Sequence, residues 1–260
     1  MSKTLAIINQ KGGVAKTTTA LNLGVTLSLQ GKNVLLIDLD SQGSLSTCCG
    51  IDVNIKSYGI VDLLKAVISD LPLPDPGDYI WCGNYLSIVA ANQELAGLEA
   101  SLVNVMSREY LLKYVLEEIA EGYDYVLIDC SPSMGMLTVN ALAAADSVII
   151  PLTPEYLSTC GLELLLSNVF LAKRRLNPRL EVEGILLTMT QSRIKLGRQI
   201  EEIIYKNYGA DLTIFKTRIP KSVKVGEAIL NQKSIIEYDP DNSVAHAYRA
   251  LAKEILNNGK

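Results

Sequence analysis

At 260 residues, 48% of them hydrophobic and 20% charged, the chain suits one α/β domain spanning 1–260, and its net charge of −4 by itself assigns no polyanionic partner. Its longest apolar stretches, such as SVIIPL (147–152) and GILLTM (184–189), fall far short of the roughly 20 residues that a membrane span needs. The start MSKTLAII carries no secretory cleavage pattern, which gives a cytoplasmic expectation, and five cysteines without C-x-x-C spacing (Cys48, Cys49, Cys82, Cys130, Cys160) argue against a disulfide framework.

In chain order, the apolar run at 3–10 predicts a strand, 17–31 a helix closing on Gly31, and 33–40 a second buried strand ending in Asp38 and Asp40. This βαβ unit predicts a parallel sheet. Residues 58–68 read as a helix, and 69–79, with Pro72, Pro74 and Pro76, as an irregular loop. A short strand at 86–92, an amphipathic helix at 107–123 and a strand at 123–130 running into a loop follow. Strands at 145–154 and 182–191, the second flanked by helices at 161–176 and 197–209, precede a strand at 213–220 and a helix at 244–256. The predicted fold is α/β: a doubly wound, mostly parallel sheet with helices on both faces.

Charge is unevenly distributed. Residues 1–150 hold 8 basic against 16 acidic side chains and residues 151–260 hold 16 against 12, so the halves stand at −8 and +4. Between Lys173 and Lys233 the balance is 13 basic to 6 acidic, which fits either a polyanion surface or a set of solvated helix faces. The single histidine, His246, has no second ligand or nucleophile beside it and is expected on a helix surface or in packing, while Cys48 and Cys49 read as small apolar residues.

Strand one leads into NQKGGVAKTTT (9–19), which departs from G-x-x-x-x-G-K-[ST] because Gln10 and Ala15 stand where the two glycines belong. The order of strand, glycine loop, lysine, hydroxyl and helix still suits phosphate. Loop and helix N–H groups point at the anion, Lys16 supplies a cation, and the Thr17 hydroxyl can ligate Mg²⁺. Gly12 and Gly13 let the backbone approach without a Cβ in the way. Aspartates at later strand ends strengthen the reading, since ligands of open α/β sheets sit at the carboxyl ends of strands. Asp129 follows four apolar residues, as a metal-holding carboxylate would. Asp38 and Asp40, two apart, point the same way if the strand continues through them, and Asp38 reads equally as a loop-capping carboxylate.

Together these residues resemble a known family. KGGVAKTT is similar to the deviant phosphate loop of the ParA/MinD ATPases, K-G-G-x-x-K-[ST], DLDSQG to their D-x-D-P-Q-G segment, and VLIDCSPSMG to their D-x-[PS]-P segment. TPEYLSTCGL, LLTMTQSRIKLG, RIPKSVKVGEA and IIEYDPDNSVAHAYRALAKEI resemble segments of chromosome- and plasmid-partition ParA proteins, so the likeness covers essentially the whole chain.

The resemblance implies an ATPase using ATP and Mg²⁺, with Lys16 on the β/γ-phosphates, Thr17 on the metal and Asp129 holding it through water; Asp38 is a further metal candidate. Lys11 would reach the other subunit's nucleotide in an ATP-bound sandwich homodimer, and Asp40 would position the attacking water. Gly12, Gly13, Val14, Ala15 and Thr18 would complete the loop site, with Met189 and Pro220 flanking adenine. Arg193, Lys195, Arg198, Lys221 and Lys224 correspond to a region that relatives use to grip double-stranded DNA without reading sequence, as phosphate contacts do. A ParB-like partner would trigger hydrolysis, and the protein would associate with the nucleoid. Ser41 replaces the proline usual after Asp40, and Ala15 replaces the commoner glycine before Lys16, so slow intrinsic turnover is expected. No helix-turn-helix precedes strand one, which points to the short, partition-only type.

Three other readings fit less well. A MinD-like membrane-associated ATPase would end in a basic amphipathic helix, yet residues 244–256 have apolar positions suited to docking, and the chain end carries only Arg249, Lys253 and Lys260 against Glu254. No stable membrane association is expected. An iron–sulfur reductase of the nitrogenase iron-protein type needs cluster thiolates, and Cys130, directly after Asp129, is off that spacing. A DNA-binding module without enzymatic activity would leave Lys11, Lys16, Thr17, Asp40 and Asp129 unexplained.

Overall fold

The computed structural model describes residues 2–52, 58–191 and 195–258. Eight strands form one sheet: β1 (Lys3–Ile7), β2 (Val34–Leu39), β3 (Ile80–Cys82), β4 (Ser87–Val89), β5 (Tyr125–Cys130), β6 (Ser147–Leu152), β7 (Glu181–Thr190) and β8 (Ile214–Pro220). Their order is β3-β4-β2-β5-β1-β6-β7-β8, and every neighbouring pair is parallel except β3 with β4. The helices among the described residues are α1 (Lys16–Leu29), α2 (Ser44–Cys48), α3 (Ile60–Ile68), α4 (Pro76–Tyr79), α5 (Glu94–Ser101), α6 (Leu111–Ile119), α7 (Met136–Ala144), α8 (Tyr156–Arg175), α9 (Lys195–Tyr208), α10 (Val223–Leu230), α11 (Ile235–Tyr238) and α12 (Ser243–Asn258).

Strands β2, β5 and β6 are buried along their whole length, as parallel strands covered on both faces must be. Their side chains alternate between two cores. Leu35, Ile37, Val126 and Ile128 pack under α3, α6, α7 and α8, whereas Leu36 and Leu127 pack under α1 and α12. The doubly wound prediction therefore holds. Helix α1 closes on Gly31 at φ +77°, a left-handed position that glycine adopts without strain. Helix α12 is docked: Val244, Ala245, Tyr248, Leu251, Ala252 and Ile255 are fully enclosed, and Glu254 accepts from the backbone N–H of Lys216 and Thr217 at 2.9 and 2.8 Å. No helix of the described residues is long and apolar enough to cross a membrane.

Several elements depart from the expectation. The antiparallel edge strand β3 and helices α2, α4, α5, α7, α10 and α11 were not read from the sequence, and α4 falls within 69–79, where the sequence predicts an irregular loop. Helix α7 buries Leu137, Thr138, Asn140, Ala141, Leu142 and Ala143, so it lacks the one-sided apolar stripe that marks a helix from sequence. Strand β2 stops at Leu39, which corrects the expectation that Asp38 and Asp40 point the same way along one strand.

Candidate functional site

The loop between β1 and α1 leaves the sheet at its centre, beside β5 and β6. Residues outside the loop hold its shape. Asn9 donates its side-chain amide to Pro151 O (2.6 Å) and accepts from Lys11 N (2.9 Å), while the Thr188 hydroxyl of β7 donates to Val14 O (3.0 Å). Gly13 and Ala15 take left-handed backbone at φ +72° and +69°. Helix α1 then starts with no side-chain cap and no acidic residue in its first turn. Its first N–H groups are left for an anion, the partner that a positive helix end favours. A Cβ added at Gly12 or Gly13 would meet no atom within 4 Å, so the loop opens on free space. Lys16, nearly buried, donates across the loop to Lys11 O at 3.3 Å, and burial lowers its pKa against the attraction of Asp129.

Parallel register sets two carboxylates side by side, since Asp38 of β2 pairs with Asp129 of β5, which pairs in turn with Ile7 of β1. Both lie on the α1 face. Asp38 is fully satisfied: it accepts from Asp40 N (3.2 Å), Ser46 N (2.8 Å) and Ser46 Oγ (2.7 Å). Burial is the main cause that raises its pKa to about 6, against those bonds. Of its two readings, metal ligand and loop-capping carboxylate, these contacts match the second. Asp129 differs. Both of its oxygens are enclosed without a hydrogen bond of normal geometry. Burial first and the Asp38 charge second push its pKa well up, against the Thr17 hydroxyl and the Lys16 ammonium. Buried, unpartnered carboxylate oxygen near a hydroxyl is a donor set that suits a hard, hydrated cation such as Mg²⁺. Asp40, beyond the strand end and half-buried, accepts from Gln42 N at 3.0 Å.

A family model described as an AAA domain matches residues 2–182. The sporulation initiation inhibitor protein Soj of Bacillus subtilis (strain 168) is 42% identical over 269 residues, spanning 100% of both chains. The chromosome-partitioning ATPase Soj of Treponema pallidum (strain Nichols) is 40% identical over 98% of each. The chain belongs to the ParA-type partitioning ATPases. Among solved structures, cobyrinic acid a,c-diamide synthase from Mycobacterium smegmatis with bound ADP and magnesium superposes with a TM-score of 0.85 at 33% identity, covering 100% of this chain and 96% of that one. A plasmid partition protein of Borrelia burgdorferi bound to AMPPNP superposes with a TM-score of 0.81 at 25% identity, covering 99% and 100%.

In this ParA-type chain, Lys11, Gly12, Gly13, Val14, Ala15, Lys16, Thr17 and Thr18 gather at the loop, with Asp38, Asp40 and Asp129 at neighbouring strand ends. Met189 and Pro220 lie at the ends of adjacent strands, where Thr190 pairs with Pro220. Met189 borders a cavity of about 280 Å³ that reaches Gln191 and Glu155. Arg198, Lys221 and Lys224 are exposed near the same ends of β7 and β8, and Lys224 pairs with Glu227 at 2.7 Å. Arg193 lies outside the described residues, as does the side chain of Lys195. Residues that escaped sequence reasoning are Asn9, Ser46, Glu155 and Thr188. Of these only Thr188, polar within an apolar strand, left a signal in the sequence. His246 is exposed on α12, as expected.

Proposed function

We propose that the chain partitions DNA as an ATP-driven switch. The observation that carries this is the buried, unpartnered Asp129 facing an uncapped helix start with open space over Gly12 and Gly13. That arrangement supports nucleotide phosphate bound together with Mg²⁺. The N–H groups of the loop and of Lys16, Thr17 and Thr18 cradle the phosphates, and Lys16 neutralises them. Thr17 and Asp129, the latter through water, would hold the magnesium, which supplies charge neutralisation on the β- and γ-phosphates. Asp38 anchors the segment carrying Asp40, and Asp40 orients the attacking water. Met189 and Pro220 flank the base. Solved relatives with ADP and magnesium or with AMPPNP support the ligand choice.

Lys11 reaches the partner's nucleotide, so ATP builds a homodimer. The dimer grips double-stranded DNA without sequence preference through Arg193, Lys195, Arg198, Lys221 and Lys224, and a ParB-like protein stimulates hydrolysis and release. Intrinsic turnover stays below about 1 s⁻¹, the low end of ordinary enzymes. The single eight-stranded sheet supports treating residues 1–260 as one ATPase domain. It would act in the cytoplasm on the nucleoid.

The test is binding to non-specific duplex DNA with ATP, ADP or no nucleotide across a salt series. Binding that requires ATP and weakens steeply with salt supports the switch. Binding to liposomes instead of DNA, or to neither, refutes it. Substituting Arg193 and Lys221 together should weaken DNA binding and leave nucleotide affinity unchanged; loss of both would overturn that surface assignment.

A further inference from the structure

Lys11 is not poised at the loop mouth. Its main chain is pinned by Asn9 and by Lys16, and its side chain turns aside to Glu155, with Nζ 2.5 Å from Oε2. Glu155 stands at the N-terminus of α8, directly after the Thr153–Pro154 turn that follows β6. A carboxylate there could cap its own helix, yet Glu155 makes no such bond. Instead it crosses to the β1 loop, which is close because β1 and β6 are sheet neighbours. The extended backbone of Glu155 (φ −125°, ψ 144°) and the bond from its N–H to Thr153 O (2.7 Å) fix where the carboxylate starts.

An ammonium gripping a carboxylate of its own subunit is diverted from a phosphate of the other. We infer that Glu155 is a positioning residue that parks Lys11 within its own protomer, so that sandwich dimerisation begins only when a partner's nucleotide outcompetes it. The inference rests on the proposed role of Lys11 across the dimer. Glu155 thereby raises the concentration of ATP-loaded protein at which dimers form, and keeps the nucleotide-free chain apart. With side chains 38% and 63% exposed, the pair is weak and salt-sensitive. Each such lock is worth a factor of about 2 to 5, and two locks per dimer multiply to roughly 4 to 25.

Sedimentation velocity across a protein dilution series, with saturating ATP and Mg²⁺, tests this on wild type, Glu155→Gln, Glu155→Ala and Glu155→Asp. Both neutral variants should dimerise at about 4- to 25-fold lower protein concentration than wild type. Glu155→Asp, which keeps the charge, should stay within about 2-fold of wild type, a rescue that a merely structural role would not show. The gap should close in about 0.5 M salt, where the screening length falls to a few ångströms. Neutral variants that dimerise no better, or worse, overturn the parking role, the latter by making Glu155 a contact of the dimer itself. A wild-type chain that stays monomeric with ATP refutes the dimer switch instead, which separates the two failures.

Discussion

Replacing Asp129 with Asn isolates the electrostatic tension of the site. This carboxylate is enclosed, aligned with Asp38 and without a hydrogen bond of normal geometry, and its raised pKa already includes the Thr17 hydroxyl and the attraction of Lys16. The folded state therefore prefers the neutral form. Each pKa unit corresponds to about 1.4 kcal/mol, and a neutral amide left unsatisfied in the same place costs about 1 kcal/mol. Relief of that burial penalty outweighs the cost of the amide, so Asp129→Asn should be more stable than wild type near neutral pH. For a chain of this size each 1 kcal/mol gained raises the midpoint by roughly 2–4 °C. The sign with pH follows from the direction of the shift. A carboxyl raised above its unfolded value destabilises the fold when ionised, and this penalty disappears as pH falls through the folded pKa toward about 4. The advantage of Asn should thus shrink on acidification. Differential scanning calorimetry in a metal chelator at pH 7.5 and at pH 5 measures both effects, and added Mg²⁺ with ADP should stabilise wild type more than the variant. A variant less stable than wild type at pH 7.5 in chelator would refute the picture of an unpartnered carboxylate.

Gly184→Ala should destabilise by about 1–3 kcal/mol in a urea titration, because the new Cβ would fall 2.7 Å from Cε2 of the buried Phe215 ring. At Ala15, held left-handed at φ +69°, glycine removes about 1–2 kcal/mol of backbone strain and adds about 0.4–1 kcal/mol of unfolded-state entropy. Ala15→Gly should therefore be mildly stabilising in the same titration, by up to about 1 kcal/mol; a clear loss would contradict the strain argument. Thr188→Val keeps the shape of the side chain and removes the bond to Val14 O, so it should cost about 1–3 kcal/mol and weaken ATP binding in calorimetry. Unchanged affinity would free the loop from that anchor.

How much of this was legible depended on whether a signal was local. The strands carrying Asp38 and Asp129 near their ends and the loop from Gly12 to Thr17 announce themselves through apolar runs and glycine spacing. Helix α7 did not, because it is buried on almost every side and its pattern has no polar face. Strand β3 hid behind a proline-rich loop as three residues at a sheet edge. The pairing of Asp38 with Asp129 joins residues 91 positions apart, and it followed only once β5 was seated between β2 and β1. Separation in sequence also conceals a partner of Ser46, which donates to Asp38 and accepts from Ala91 N, 45 positions away. Two of the three contacts that match the loop-capping reading of Asp38 come from that one serine.

The anchors of the phosphate loop also bear on how such a loop could be moved between proteins. Its proposed chemistry is carried by ten consecutive residues, 9 to 18, but its curvature is carried by Pro151 and Thr188, more than 130 positions downstream on two other strands. A chimera that transplants the motif alone inherits the lysines and glycines without the two clamps that bend them. The portable unit is the motif together with the ends of β6 and β7, and drift at Thr188 could alter the loop while the motif itself remained letter-perfect.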